Sequence, residues 1–161
     1  MTTNFAVPVN QRYFEDYVEG TTFEYGHITV SADEIVEFAK RYDPQPIHVD
    51  VERAGRGPFG GLIASGWHTA AVMMRLLADN FISHVGGMAS PGVDEIRWLL
   101  PVRPGDKLSI RVTVLEARRS RSKPDRGIVR TLVQVLNQNQ EIVMTLKPLS
   151  IMRCRSRDTS A

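Results

Sequence analysis

One cysteine in 161 residues excludes a disulfide within the chain, and Cys154, in the stretch MRCRSRD, has no second thiol or paired histidine beside it to support catalysis. No apolar run approaches the ~18 residues that a membrane-spanning helix needs. The N-terminal MTTNFAVPVN lacks a charged region followed by an apolar core, and it lacks an Arg-rich amphipathic pattern. The expected address is the cytoplasm. An excess of one charge is missing as well: 20 Lys and Arg face 18 Asp and Glu, for a net charge of +2, and nothing marks a nucleic-acid binder. No internal repeat or low-complexity tract divides the chain, so residues 1–161 are expected to form a single domain with short terminal tails. Among His27, His48, His68 and His84 no pair has H-x3-H spacing or a nearby Cys cluster, and no metal site is expected.

Against these absences stands YDPQPIHVD, residues 42–50, which places Asp43 and His48 five positions apart with Pro44 and Pro46 between them. On one continuous helix a five-residue step turns the side chains about 140° apart. Proline removes a backbone donor and pushes its predecessor toward extended conformations, so a helix must end near Asp43. The segment is then a bent loop that can bring acid and imidazole to one point.

The surrounding pattern is mixed. TTFEYGHITV reads as a strand, and SADEIVEFAKRYD opens a helix with Ser31 and Glu34 as a capping box. From Arg53 to Gly66 glycines accumulate, which suits close backbone approach. WHTAAVMMRLLADNF is apolar on nearly every side apart from Arg75, the pattern of a buried helix. VDEIRWLL, KLSIRVTVL, GIVRTLVQVL and EIVMTLKPLSIM then read as a meander of four strands, the second with Leu108, Ile110, Val112 and Val114 on one face. The predicted class is α+β, a curved antiparallel sheet around one central helix.

D-x-[NQ]-P-I-H at Asp43–His48, the acidic Asp50, FGGLIASG, the apolar helix and PVRPGDKL together resemble the MaoC-like dehydratases, including (R)-specific enoyl-CoA hydratases. The likeness covers most of residues 13–152. It implies a hotdog fold, an acyl-CoA thioester substrate, reversible addition of water across the 2,3 double bond, a homodimer or a multiple of it, no membrane partner, and no cofactor beyond the coenzyme A of the substrate. Asp43 and His48 match the family's catalytic acid and histidine, and Gly66 the glycine whose N–H receives the thioester carbonyl. Gln45 stands where many members have Asn, Ser65 where many have His, and Met74 where some hydratases carry a supporting Ser.

The chemistry needs three groups: one to activate water, one to move a proton, and one to hold the charge that develops on the thioester oxygen. A carboxylate and a neutral imidazole can share the first two tasks, and a helix N-terminal N–H at Gly66 suits the third. Ser65 reads as the N-cap of that helix, since the G-x-S-x-G elbow would need glycine where Ile63 stands. The acyl tail is expected along the helix over Trp67, Met73 and Met74, although methionines at helical spacing equally build plain core. Arg118, Arg119, Arg121, Lys123 and Arg126 suit a solvated hairpin tip or a docking surface for coenzyme A phosphates, one that a dimer interface could bring to a neighbouring site. Two other functions fit the same residues: a hotdog thioesterase, and a non-catalytic acyl-CoA-binding module.

Overall fold

The structure is a computed structural model and describes residues 2–155. Strand β1 (Thr22–Thr29) leads through Ser31 into α1 (Ala32–Tyr42). There the Ser31 hydroxyl accepts from Glu34 N at 3.2 Å, and the Glu34 carboxylate accepts from Ser31 N at 2.9 Å. Two orphan donors of the first turn are thereby satisfied. Single-turn α2 (Pro46–Val49) and α3 (Val51–Arg56) follow, then α4 (Gly66–Asn80), β2 (Gly87–Trp98), β3 (Lys107–Arg119), β4 (Arg126–Leu136) and β5 (Ile142–Arg153).

The strands form one antiparallel sheet in the order β1-β3-β4-β5-β2. This α+β layout is the hotdog arrangement. The inner faces supply the core: Leu108, Ile110, Val112 and Val114 of β3 are buried, as are Val129, Val133 and Val135 of β4. Met73, Leu76 and Leu77 of α4 join them in one cluster. Each such side chain removed from water contributes roughly 1.5–3 kcal/mol.

Within the glycine-rich segment the coil starts at Gly57, since the Asp50 carboxylate accepts from Arg53 N at 3.0 Å and caps α3. Two expectations need correction. The last four strands are not a simple meander: β2 pairs with β5 at the sheet edge, while β3 lies between β1 and β4. The connection from Leu99 to Asp106 crosses the end of the sheet, bonding first to Val143 O and then reaching Val30. β3 therefore docks beside β1. Finally, α4 is buried on one face only. Five strands cover one side of a helix, leaving Trp67, Ala71, Met74 and Arg75 exposed beside the edge strand β2.

The far end of α4 is held by a buried arginine. Arg12 donates to Asn80 O at 2.6 Å and to Val7 O at 2.8 Å, with its guanidinium 3.7 Å from the Phe5 ring centroid. A cation at a helix C-terminus meets the negative end of the dipole as well as unpaired carbonyls. Arg12→Leu should destabilise the fold by ~2–3 kcal/mol, since those buried carbonyls lose a charged donor. Urea unfolding checks this, and a change below a few tenths of a kcal/mol would contradict the capping role.

Candidate active site

Asp43 is the residue at which α1 stops. Its N–H still bonds to Ala39 O at 2.9 Å, after which Pro44 prevents continuation. Gln45 N turns back to Asp43 O at 2.8 Å, and Pro46 takes the first position of α2, where a missing N–H costs nothing. The intervening segment is thus a tight turn into a single helical turn, and it swings the buried His48 against Asp43. His48 Nε2 lies 3.4 Å from Asp43 Oδ2.

The coil before α4 completes the arrangement. Ile63 N bonds to Ile47 O at 3.3 Å and Ala64 N to Val102 O at 2.8 Å, so the coil runs between α2 and the crossing connection. Ile63 O sits 2.8 Å from His48 Nδ1. A carbonyl oxygen only accepts, so Nδ1 carries a proton; Nε2 faces Asp43 and holds the lone pair whenever the ring is neutral. Ser65, with 0% of its surface exposed, donates to Asp43 Oδ2 at 2.6 Å and accepts from Trp67 N at 3.3 Å. Gln45 Nε2 donates to Asp43 Oδ1 at 2.7 Å. The Ser65 hydrogen bond first, and the Gln45 bond second, hold the Asp43 carboxyl below its ordinary range; burial opposes them, and nearby His48 adds to the lowering.

As N-cap, Ser65 also starts α4, its carbonyl accepting from His68 N and Thr69 N. Gly66 N–H, in the first turn, has no intrahelical acceptor and points with the helix dipole. Glycine has a second, steric reason here. The Trp98 indole lies across it, with Nε1 donating to Gly66 O at 2.8 Å, and a Cβ at Gly66 would come within 2.5 Å of that ring.

These groups open onto a cavity of about 370 Å³. Asp43, Gln45, His48 and Gly66 supply its polar side, and Phe59, Trp67, Trp98, Leu99 and Leu100 much of its apolar wall. The sequence-predicted polar residues all come together, with Ser65 immediately behind them. Of the three residues expected along the acyl tail, only Trp67 lines this cavity. Met73 points into the sheet and belongs to the core. Met74, about 100° further round the helix, turns to the exposed face and lines a different depression with Met88 and Met152. Trp98, Leu99 and Leu100 were missed as site residues. Their signal was a run of three large apolar residues in WLLP, which breaks the alternation of a strand.

Arg118 and Arg126 of the basic stretch are paired with Glu116 and Asp125. That hairpin tip follows the 13 residues of β3, a run of ~40 Å from the end of the sheet where the cavity lies. Within one chain it cannot reach a ligand there. His68 is buried and stacks on Phe38 with centroids 4.8 Å apart. Burial lowers its pKa, against a smaller raising influence of Glu34. His27 and His84 are exposed. Among the described residues no group of three or more His, Cys, Asp or Glu side chains converges as a metal site, and no helix is long and apolar enough to cross a membrane.

Residues 16–137 match the family model of the MaoC-like domain. The chain is 32% identical over 126 residues to the uncharacterized protein YdeM of Bacillus subtilis, covering 78% of this chain and 88% of that one. It is 35% identical over 109 residues to the 3-hydroxybutyryl-CoA dehydratase of Methylorubrum extorquens, covering 65% of this chain and 64% of the dehydratase. It thus spans somewhat less than two thirds of that relative. The MaoC-like dehydratase of Rhodospirillum rubrum superposes with a TM-score of 0.84 at 41% identity, over 90% of this chain and 99% of that one. The R-hydratase PhaJ1 of Pseudomonas aeruginosa shares the fold, with a TM-score of 0.69 at 23% identity over 92% and 88% of the two chains.

Ser65→Ala removes the largest influence holding the Asp43 carboxyl down, so that carboxyl should titrate at higher pH. The sign for stability follows. A depressed folded-state pKa contributes stability that is present above the unfolded value and is lost as pH falls through the folded value. In the variant that loss should be smaller and complete at higher pH. Carbon-detected NMR titration of Asp43 and urea unfolding into the acid range check both, and an unchanged carboxyl titration would refute the coupling.

Proposed function

The chain belongs to the MaoC-like domain family, and from that membership we propose that it adds water to, or removes it from, the 2,3 bond of an acyl thioester. Enoyl-CoA is the substrate in the hydration direction. One observation carries this reading: a carboxylate and the Nε2 of an imidazole whose Nδ1 is engaged by a carbonyl lie 3.4 Å apart at the polar end of an apolar-walled cavity, beside a helix N-terminus.

In the proposed reaction the thioester oxygen is held by Gly66 N–H, and a water is gripped between His48 Nε2 and Asp43 Oδ2. The water oxygen forms a bond to C3 as its proton passes to Nε2, and the electron pair of the double bond moves toward the thioester oxygen as an enolate. The imidazolium, paired with the Asp43 carboxylate, then returns its proton to C2. Hydroxyl and hydrogen are added, and the enzyme ends as it began. Both arrive from the face on which His48 stands, so addition is syn. Dehydration is the reverse path. Ser65 and Gln45 keep Asp43 ionised and oriented, which serves both directions. An oxyanion donor such as Gly66 N–H is typically worth ~2.7–4 kcal/mol of barrier.

Asp43→Asn and His48→Ala should each lower turnover ~10²–10⁴-fold. The double variant should be scarcely worse than the poorer single one, because groups sharing one water act as a unit. Loss of the conjugated enoyl absorbance without release of free thiol measures hydration. Release of free coenzyme A would identify a thioesterase instead, and binding without turnover across enoyl chain lengths a binding module.

The proposed working form is a dimer. Trp67, Met74, Met88, Trp98, Leu99 and Leu100 are all exposed along α4 and the edge of β2, a contiguous apolar surface beside a strand with unpaired backbone groups. A second copy pairing there would also cover the apolar wall that Trp67, Trp98, Leu99 and Leu100 give the cavity. Light scattering at micromolar concentration should give twice the 18.1 kDa chain mass or a multiple of it, and a monomer would sink this assembly.

A further inference from the structure

Several arginines on or beside the sheet are neutralised: Arg111 pairs with Glu24 at 2.6 Å, Arg118 with Glu116 at 2.7 Å and Arg155 with Asp16 at 2.6 Å. Arg103 is placed differently. It follows Val102, a lining residue of the cavity, and its Nη2 donates at 2.8 Å to the carbonyl of Phe59, another lining residue. Nη1 lies over Gly61, where a Cβ would sit 3.6 Å from it. Among the described residues no carboxylate lies within ion-pair distance of this guanidinium. The acid near it in sequence, Asp106, is engaged by the main-chain N–H of Arg103 at 2.8 Å and by Gln138 Nε2 at 3.0 Å. An exposed cation is thus braced on the rim of the cavity, with most of its five donors unused.

We infer that Arg103 binds a phosphate of the carrier to which the acyl group is thioesterified. This rests on the thioester reading and names what recognises the other end of the substrate. With the thioester carbonyl at Gly66 N–H, the pantetheine arm must leave through the open side of the cavity, and it ends in a phosphate in both coenzyme A and acyl carrier protein. Gly61 precedes Gly66 by five residues, so the two lie at most ~18 Å apart, within the span of an extended or gently bent arm. Guanidinium is suited to phosphate because its planar fork donates two parallel hydrogen bonds. The bond to Phe59 O already holds the side chain in place, so less rotamer freedom is lost on binding. Arg103 therefore takes the role that the basic hairpin, at the far end of β3, cannot fill within one chain.

The competing explanation is that Arg103 only pins the coil of residues 57–61. Three substrates of one acyl chain separate the two: the enoyl thioesters of coenzyme A, of phosphopantetheine and of pantetheine, the last with the same arm but without phosphate. Arg103→Gln should raise KM ~10-fold for phosphate-bearing thioesters, with kcat and the pantetheine parameters unchanged. A rise shared by coenzyme A and phosphopantetheine identifies the phosphate next to the arm, common to both carriers. A rise with coenzyme A alone identifies the nucleotide's own phosphates. Equal losses on all three substrates, or none, overturn the inference. Calorimetric titration with coenzyme A itself adds a readout independent of turnover, and the variant should bind it ~10-fold more weakly. If the wild-type protein turns over none of the thioesters but this binding loss is seen, the hydration reading fails and the phosphate anchor stands. Equal coenzyme A affinity in both proteins, or none in either, refutes the anchor.

Discussion

The hydrogen bond from Ser65 to Asp43, 2.6 Å long and out of contact with solvent at the serine, is the interaction on which the site depends. It joins the C-cap of α1 to the N-cap of α4, two elements that share few other contacts. The same hydroxyl accepts from the first turn of α4, so the orientation of the carboxylate and the start of the helix are set together. The support for the carboxylate comes from the residue just before the helix.

The imidazole is fixed by different means. His48 is held by the backbone carbonyl of Ile63, which the coil presents only because its neighbours bond to Ile47 on one side and Val102 on the other. A carbonyl acceptor at Nδ1 orients the ring so that Nε2 faces the acid, and it places a proton on Nδ1. Deleting any bond in this coil would therefore act on the chemistry through orientation, with the side chains of the pair still present.

The sheet explains why the cavity is open. Five strands curve around one side of α4, and the order that puts β2 at the edge leaves Trp98 and the two leucines after it at the border of the molecule. Trp98 both covers Gly66 and lines the cavity wall, linking the edge strand to the helix N-terminus. Meanwhile the buried charge of Arg12 closes the opposite end of α4 on main-chain carbonyls. The helix is polar-capped at both ends and apolar along the face toward the sheet, which fixes its position along its own axis.

Local chemistry alone determined much of this. The Ser31–Glu34 box, the stop at Asp43 before Pro44, the alternation in β3 and the N-cap at Ser65 are all short-range rules, and each is present as written in the residues. The meeting of Asp43 with His48 was also legible, because two prolines within five residues leave the chain little choice but to bend. What the sequence could not decide was which elements become neighbours. The place of β2 follows from the path of residues 99–106 across the sheet, a long-range outcome that alternation does not encode. The exposed side of α4 follows from how far five strands can wrap, and Met73 and Met74, equivalent as letters, were separated into core and surface by a rotation of about 100° relative to that sheet. The seat of Arg103 on the cavity rim belongs to the same class: its bond partner, Phe59, is 44 residues away in the chain, and only tertiary packing brings the two together.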